Sequence, residues 1–180
     1  MIFFVCTTPR GRPSHPWHPG VVQTDLPPTT PLELVEAPYD SDLVQQLVAE
    51  VQEEYVQRYG GPDDTPLTPE DFAPPRGAFL VALAGGEPVG CAGLRRHDDE
   101  GVELKRLYVR AGHRRRGHAR TLLAAVEDRA RAQGYRRLVL ETGSQQPEAV
   151  ALYGAAGYAE IPPYGHYADS ESSIHLGKDL

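Results

Sequence analysis

Residues 102–109 read Val-Glu-Leu-Lys-Arg-Leu-Tyr-Val, with aliphatic side chains at 102 and 104 and then at 107 and 109. A strand alternates faces with a period of two, so the second pair is one residue out of phase with the first. One extra residue near Lys105-Arg106 restores the phase, which is what a β-bulge does. The flanking Val, Leu and Tyr are strong strand formers and argue against a simple break. A basic, glycine-containing turn and an apolar-striped helix follow at once. A bulged strand running into such a helix start confines the chain to a mixed α/β architecture.

The rest of the chain agrees with that class. Leu32 to Glu36 is a short strand ended by Pro38, and Ser41 or Asp42 can cap a helix to Tyr59 with Leu43, Leu47, Val51 and Tyr55 on one side. Residues 62–76 hold five prolines and read as a loop. Ala78 to Ala84 and Val89 to Leu94 form a hairpin across Gly85-Gly86, and a second turn at 97–101 leads into the bulged strand. A helix over 117–133 stops at Gly134, and Arg137 to Glu141 is a strand whose continuous Leu138-Val139-Leu140 expects cover on both faces. Pro147 opens a helix to Ala156; Tyr158 to Ile161 and the stretch around Ile174 and Leu176 are the last strands. The order is an antiparallel meander followed by β-α-β-α-β-β.

At 180 residues this is one domain with one good core. The first 31 residues contain seven prolines and cannot supply a core, so they read as an extended arm, with Ile2 to Val5 as a candidate edge strand; the domain is 32–180. The longest apolar run, Ile2 to Cys6, is far too short to span a membrane and has no basic region before it. Cys6 and Cys91 make no disulfide framework, and no Cys/His cluster has metal spacing, so no metal is expected. The cytoplasm is the expected compartment.

Charge is segregated. Residues 32–104 carry sixteen acids against four Lys/Arg, whereas residues 105–140 carry eleven Lys/Arg against two acids. The densest part lies between Arg110 and Arg120, with five arginines, two histidines and no acid. Free N–H groups and the dipole at a helix start favour bound phosphate, arginines add charge-assisted bonds, and Gly117 and Ala119 let a ligand approach the backbone. A solvated basic face is one alternative. A nucleic-acid-binding domain using 105–137 is another, disfavoured by the lack of aromatic interleaving and by the net charge of −7.

Arg114-Arg115-Arg116-Gly117-His118-Ala119, followed by Leu122-Leu123, resembles the Arg/Gln-x-x-Gly-x-Gly/Ala signature of the GNAT N-acetyltransferases. A second pattern of that family, Asn-x-x-Ala-x-x-x-Tyr-x-x-x-Gly-Phe, is matched by Gln146, Ala149, Tyr153, Gly157 and Tyr158, with Gln for Asn and Tyr for Phe. The resemblance covers about 32–180 and implies a mixed, mostly antiparallel, bent sheet with helices on both faces and a bulged fourth strand. It implies acetyl-CoA as cosubstrate, held by the backbone of Leu107, Tyr108 and Val109, by residues 114–119 and by a polar contact at Gln146.

The resemblance further implies direct acetyl transfer to a primary amine, with bulge N–H groups polarising the thioester carbonyl. Tyr153 is the expected acid for the departing thiolate and Glu103 the expected base, with Glu141 a second candidate. A packing tyrosine and an exposed strand glutamate are the plain alternatives, and a non-catalytic acyl-CoA-binding module is the rival function. The acidic region 43–71, with Glu50, Glu53, Glu54, Asp63 and Asp64, suggests a cationic acceptor, whether small molecule or peptide. A homodimer is compatible with the sequence. Cys91 reads as a packed thiol.

Overall fold

The computed structural model describes residues 31–180; the proline-rich arm and its candidate edge strand lie outside the described residues, Pro31 aside. The elements run β1 (Leu32–Glu36), α1 (Asp42–Tyr59), a 3₁₀ turn (Pro69–Phe72), β2 (Ala78–Ala84), β3 (Glu87–Arg96) and β4 (Gly101–Val109). A second 3₁₀ turn (Ala111–His113) leads to α2 (His118–Ala132), β5 (Arg137–Gly143), α3 (Pro147–Ala155), β6 (Ala159–Glu160) and β7 (Ser173–Asp179). They build one open sheet ordered β1-β2-β3-β4-β5-β7-β6, antiparallel except between β4 and β5.

Alternation in the strands gives the sheet two apolar faces, and helices cover both. On one face α2 buries Leu122, Leu123, Val126 and Ala130 against Val102, Leu104, Leu138 and Leu140, with Tyr153 and Tyr158 completing the cluster. On the other, α1 buries Val44, Leu47 and Val48 against Phe79, Val81 and Cys91. Each such side chain contributes about 1.5–3 kcal/mol by leaving water. The buried stripe of α1 runs 44, 47, 48 and 51, while Leu43 is only partly buried. The proline loop is less featureless than expected: its 3₁₀ turn drives Phe72 into the α1-side core, stacked on Tyr39 at 4.5 Å.

The phase slip is a bulge. Gly93 pairs with Lys105 and Cys91 with Tyr108, so Arg106 and Leu107 together face Ala92. Arg106 takes up the surplus residue with φ 58°, and Leu104 and Leu107 both join the α2-side core. Beyond the bulge β4 also loses β5. Their parallel pairing runs from Gly101↔Arg137 to Leu104↔Leu140 and stops, while β5 continues to Gly143 against β7 alone. The strands part in the middle of the sheet.

Gly90, opposite Val109, allows β3 to follow the bent strand closely, since a Cβ there would lie 2.5 Å from the Tyr108 carbonyl oxygen and 3.3 Å from Leu122 Cδ1. Gly90→Ala is therefore expected to destabilise the fold by about 1–3 kcal/mol, the usual cost of overpacking. Thermal unfolding should show a midpoint lowered by several degrees; an unchanged midpoint contradicts this account of the β3–β4 contact.

Candidate active site

Where β4 and β5 part, a cavity of about 320 Å³ opens. Its floor is the bulged run Leu104 to Leu107; Glu141, Thr142 and Gly143 form the β5 side; and Gln146, Ala149 and Tyr153 of α3 form the far wall. Two loops complete it, 61–64 after α1 and the segment before β7 with Tyr167 and Ser170. They meet where the Asp64 N–H donates to Tyr167 Oη at 2.8 Å. Arg58, at the end of α1, ties this rim to α3 by donating to the Gln145 carbonyl and pairing with Glu148.

The backbone edge of β4 from 105 to 109 has no strand partner on the β5 side. An elongated ligand can therefore lie between the strands and pair with exposed main chain, as Leu107, Tyr108 and Val109 would allow. Leu107 lines the cavity; Tyr108 turns to the α1 face and donates to Glu50 at 3.4 Å; Val109 is buried.

At the end of β4 the chain curls into an anion cradle. Arg115 and Gly117 have φ of 61° and 86°, separated by a residue of ordinary φ, the alternating form whose N–H groups converge on anions. Gly117 is the N-cap of α2, and an ideal Cβ there meets nothing within 4 Å, so glycine is required by conformation and ligand approach rather than by packing. His118 and Ala119 open the helix, whose first N–H groups have no intrahelical partner. Burial first, then His113 and Arg116, holds the His118 imidazole below its ordinary value, leaving it neutral beside the cradle.

The arginines of this segment divide. Arg115 has no ion pair among the described residues, and Arg116 donates to the Gly112 carbonyl at 3.1 Å. Arg114 instead braces the turn from behind, donating to the Val109 carbonyl at 2.8 Å and to Glu54 at 2.5 Å. Glu50 holds Arg110 in the same way, and that hydrogen bond keeps the Glu50 carboxyl below its ordinary range. Six of the eleven basic residues of 105–140 are paired with carboxylates, so the stripe is largely spent inside the fold and offers little to a nucleic acid.

Tyr153 lines the cavity from α3 and is 6% exposed; burial pushes its phenol above its ordinary value, so it stays protonated through the neutral range. Gln146 sits at the N-cap of α3, with its side-chain carbonyl accepting from Thr142 at 3.1 Å. Glu103 is a different case. It is 3% exposed, does not line the cavity, accepts from Arg95 at 2.8 Å and Tyr164 at 3.4 Å, and forms an ion pair with Lys105 at 2.9 Å. Glu141 does line the cavity, accepting from Ser173 at 2.9 Å with Lys105 Nζ 4.0 Å away. Burial, only partly opposed by Lys105, raises its carboxyl above the usual range.

Three cavity residues carried no motif, nor did His175, which does not line the cavity. Burial pushes the Tyr55 phenol to about 12, and it lies 5.9 Å from the Arg106 guanidinium. Arg106 pairs with Asp63, whose carboxyl would be raised by burial but is held down to about 2, chiefly by Arg106. His175, in register with Glu141 on β7, has both ring nitrogens buried without a hydrogen-bond partner. The available signal was Lys105-Arg106, two cations in a central strand. Cys91 is fully buried and its thiol is pushed up to about 12 by burial, which makes it a packing residue.

Comparison with known proteins gives the same answer as the geometry. Residues 45–158 match the model of the acetyltransferase (GNAT) family. The chain is 35% identical over 140 residues to an IAA acetyltransferase of Azospirillum brasilense, covering 77% of this chain and 92% of that protein. A solved Klebsiella pneumoniae structure described as an acyl-CoA N-acyltransferase superposes with a TM-score of 0.70 at 27% identity, over 83% of this chain and 97% of that one. A GNAT acetyltransferase from Elizabethkingia anophelis, solved with acetyl-CoA bound, shares the fold at a TM-score of 0.61 and 18% identity, over 83% and 98% of the two chains. With its family model matched over 45–158 and its strands parted around a cavity beside an anion-cradling helix start, this chain belongs to the GNAT acetyltransferase family.

Proposed function

We propose that the protein transfers an acetyl group from acetyl-CoA to a primary amine, with Glu141 rather than Glu103 as base and Tyr153 as acid. One observation carries the reading: the cavity at the β4–β5 parting is lined by both a half-buried carboxylate and a protonated phenol beside the bulge. Residues 115–119 fit the CoA phosphates, and the free edge of β4 from Leu107 to Val109 fits the pantetheine arm, with Gln146 at the α3 end. The family supplies the cosubstrate, and the site accommodates it.

The residues divide the labour as follows. Glu141 takes a proton from the acceptor ammonium, directly or through one water, and frees its lone pair. The new C–N bond forms at the thioester carbonyl carbon while bulge N–H groups stabilise the developing oxyanion. The C–S bond then breaks, and Tyr153 gives its proton to the thiolate. Much of the rate gain comes from holding two bound reactants in line. Glu103 anchors Arg95 and Lys105 instead, because all of its strong acceptor capacity is already used. The acceptor is a small-molecule or peptide amine. The acidic region argues less for a cation than the sequence suggested, since Glu50, Glu54 and Asp63 are neutralised by Arg110, Arg114 and Arg106.

Four variants test this. In Tyr153→Phe, kcat should fall by about 10²–10⁴-fold with the acetyl-CoA Kd nearly unchanged, as loss of a general acid requires. Full activity would make Tyr153 a packing residue, and binding without any turnover in the wild type would favour a non-catalytic module. Because the folded carboxyl of Glu141 is raised, kcat/KM should drop as pH falls through a value above the ordinary glutamate range, and Glu141→Gln should remove that acidic limb with most of the rate. Glu103→Gln should mainly destabilise the fold, by about 3–5 kcal/mol, through buried cations left unpaired. A lost acidic limb in Glu103→Gln with stability intact returns the base to Glu103. Gly117→Val should weaken acetyl-CoA at least tenfold by calorimetry in a folded protein; unchanged affinity would remove the cradle from the site.

A further inference from the structure

The acceptor half of the cavity holds an unusual set of charges. Lys105 and Arg106 lie side by side in its floor at 7% and 5% exposure, in a central strand where apolar side chains would be the default. Buried ion pairs are poor stabilisers, because desolvation consumes most of the Coulomb gain. Their concentration beside a cavity therefore indicates recognition rather than stability.

The charges balance in a particular way. Glu103 is shared by Arg95 and Lys105, two cations for one anion, which leaves a surplus positive charge at Lys105. That surplus faces Glu141, but at 4.0 Å, too long for a hydrogen bond. Arg106 spends one arm on Asp63, while its Nε is buried with no hydrogen-bond partner. The floor thus places two cations with donor capacity to spare next to a carboxylate that accepts only from Ser173. A lone ammonium would satisfy Glu141 and leave Lys105 and Arg106 with donors to spare. An amine that carries its own carboxylate satisfies both at once. The short separation of Lys105 and Glu141 suits functions that are one carbon apart, and the hydroxyls of Tyr167 and Ser170 on the facing loop can bind the same polar end.

We propose that the acceptor is an α-amino acid or a close analogue, with its carboxylate at Lys105 and Arg106 and its amine at Glu141. This rests on the acetyl-transfer reading above. Lys105 and Arg106 are specificity-determining residues, and Asp63 positions the Arg106 guanidinium.

The test compares matched acceptors on the wild-type full chain: an amino acid, its α-amide and the amine lacking the carboxyl group, across several side chains, with CoA thiol release as readout. The acid should exceed its amide at least tenfold in kcat/KM, chiefly through KM. Lys105→Met should bring that ratio close to one, and the ratio cancels any change in Glu141 common to both substrates. Amides or simple amines used as well as acids would overturn the proposal while leaving acetyl transfer standing. If no acceptor releases thiol although acetyl-CoA binds, the transfer reading falls, and the carboxylate site is read separately by calorimetry with CoA present. There an N-acetyl amino acid should bind at least tenfold more tightly than its amide, and equal binding would overturn the site. Should Lys105→Met not fold, the wild-type comparison decides alone.

Discussion

The site depends on a strand that cannot stay in register. One surplus residue in β4, absorbed at Arg106 with φ 58°, bends the strand just where its pairing with β5 ends. A bulge adds local twist, and two parallel strands twisted differently cannot keep a ladder. The exposed main chain that results would be a liability at a sheet edge. In the middle of this sheet, walled by α3 and two loops, it borders a cavity, the slot proposed for an extended ligand with amide groups of its own.

Around that slot the fold puts its charges to structural use before any ligand arrives. The acidic face of α1 and the loop after it meet the arginines of β4 and of the turn that follows: Glu50 takes Arg110, Glu54 takes Arg114, and Asp63 takes Arg106. These contacts fix the direction in which the chain leaves β4, and so the place where α2 begins. A first turn held from behind by Arg114 on the Val109 carbonyl can present its N–H groups without rearrangement. In the proposed reading, affinity for phosphate would come from backbone already in place, the least costly form of preorganisation. On the opposite face, Glu127 inside α2 accepts from Tyr158 at 3.0 Å and Lys178 at 2.9 Å, locking the helix to β7 and to the end of α3.

Much of this was legible in one dimension. Apolar runs and turn signals located β2 to β5, and the failure of alternation at 105–106 located the bulge, because side-chain period is a local property of a strand. The Gly117 helix start and the Tyr153 helix were equally readable, since both follow from short-range chemistry. Which carboxylate lines the cavity was not. Glu103 and Glu141 are each a lone glutamate in a strand by sequence. Arg95, two residues from the turn, and Tyr164, far along the chain, close off the first, while the parting of β4 and β5 opens the second.

What the amino-acid order determined by itself was therefore the class of fold, the position of the bulge and the helix start at Gly117, all set by contacts within a few residues. Only the tertiary structure decided which charges remain available. An ion pair such as Arg106–Asp63 or Arg114–Glu54 joins residues 43 and 60 positions apart, and its strength depends on burial that no local pattern encodes. The acidic and basic blocks that suggested two separate ligands turn out to neutralise each other for the most part. What is left over is the Glu141 carboxylate, 4.0 Å from the shared Lys105 ammonium, and the unpartnered Nε of Arg106, where the two central strands separate.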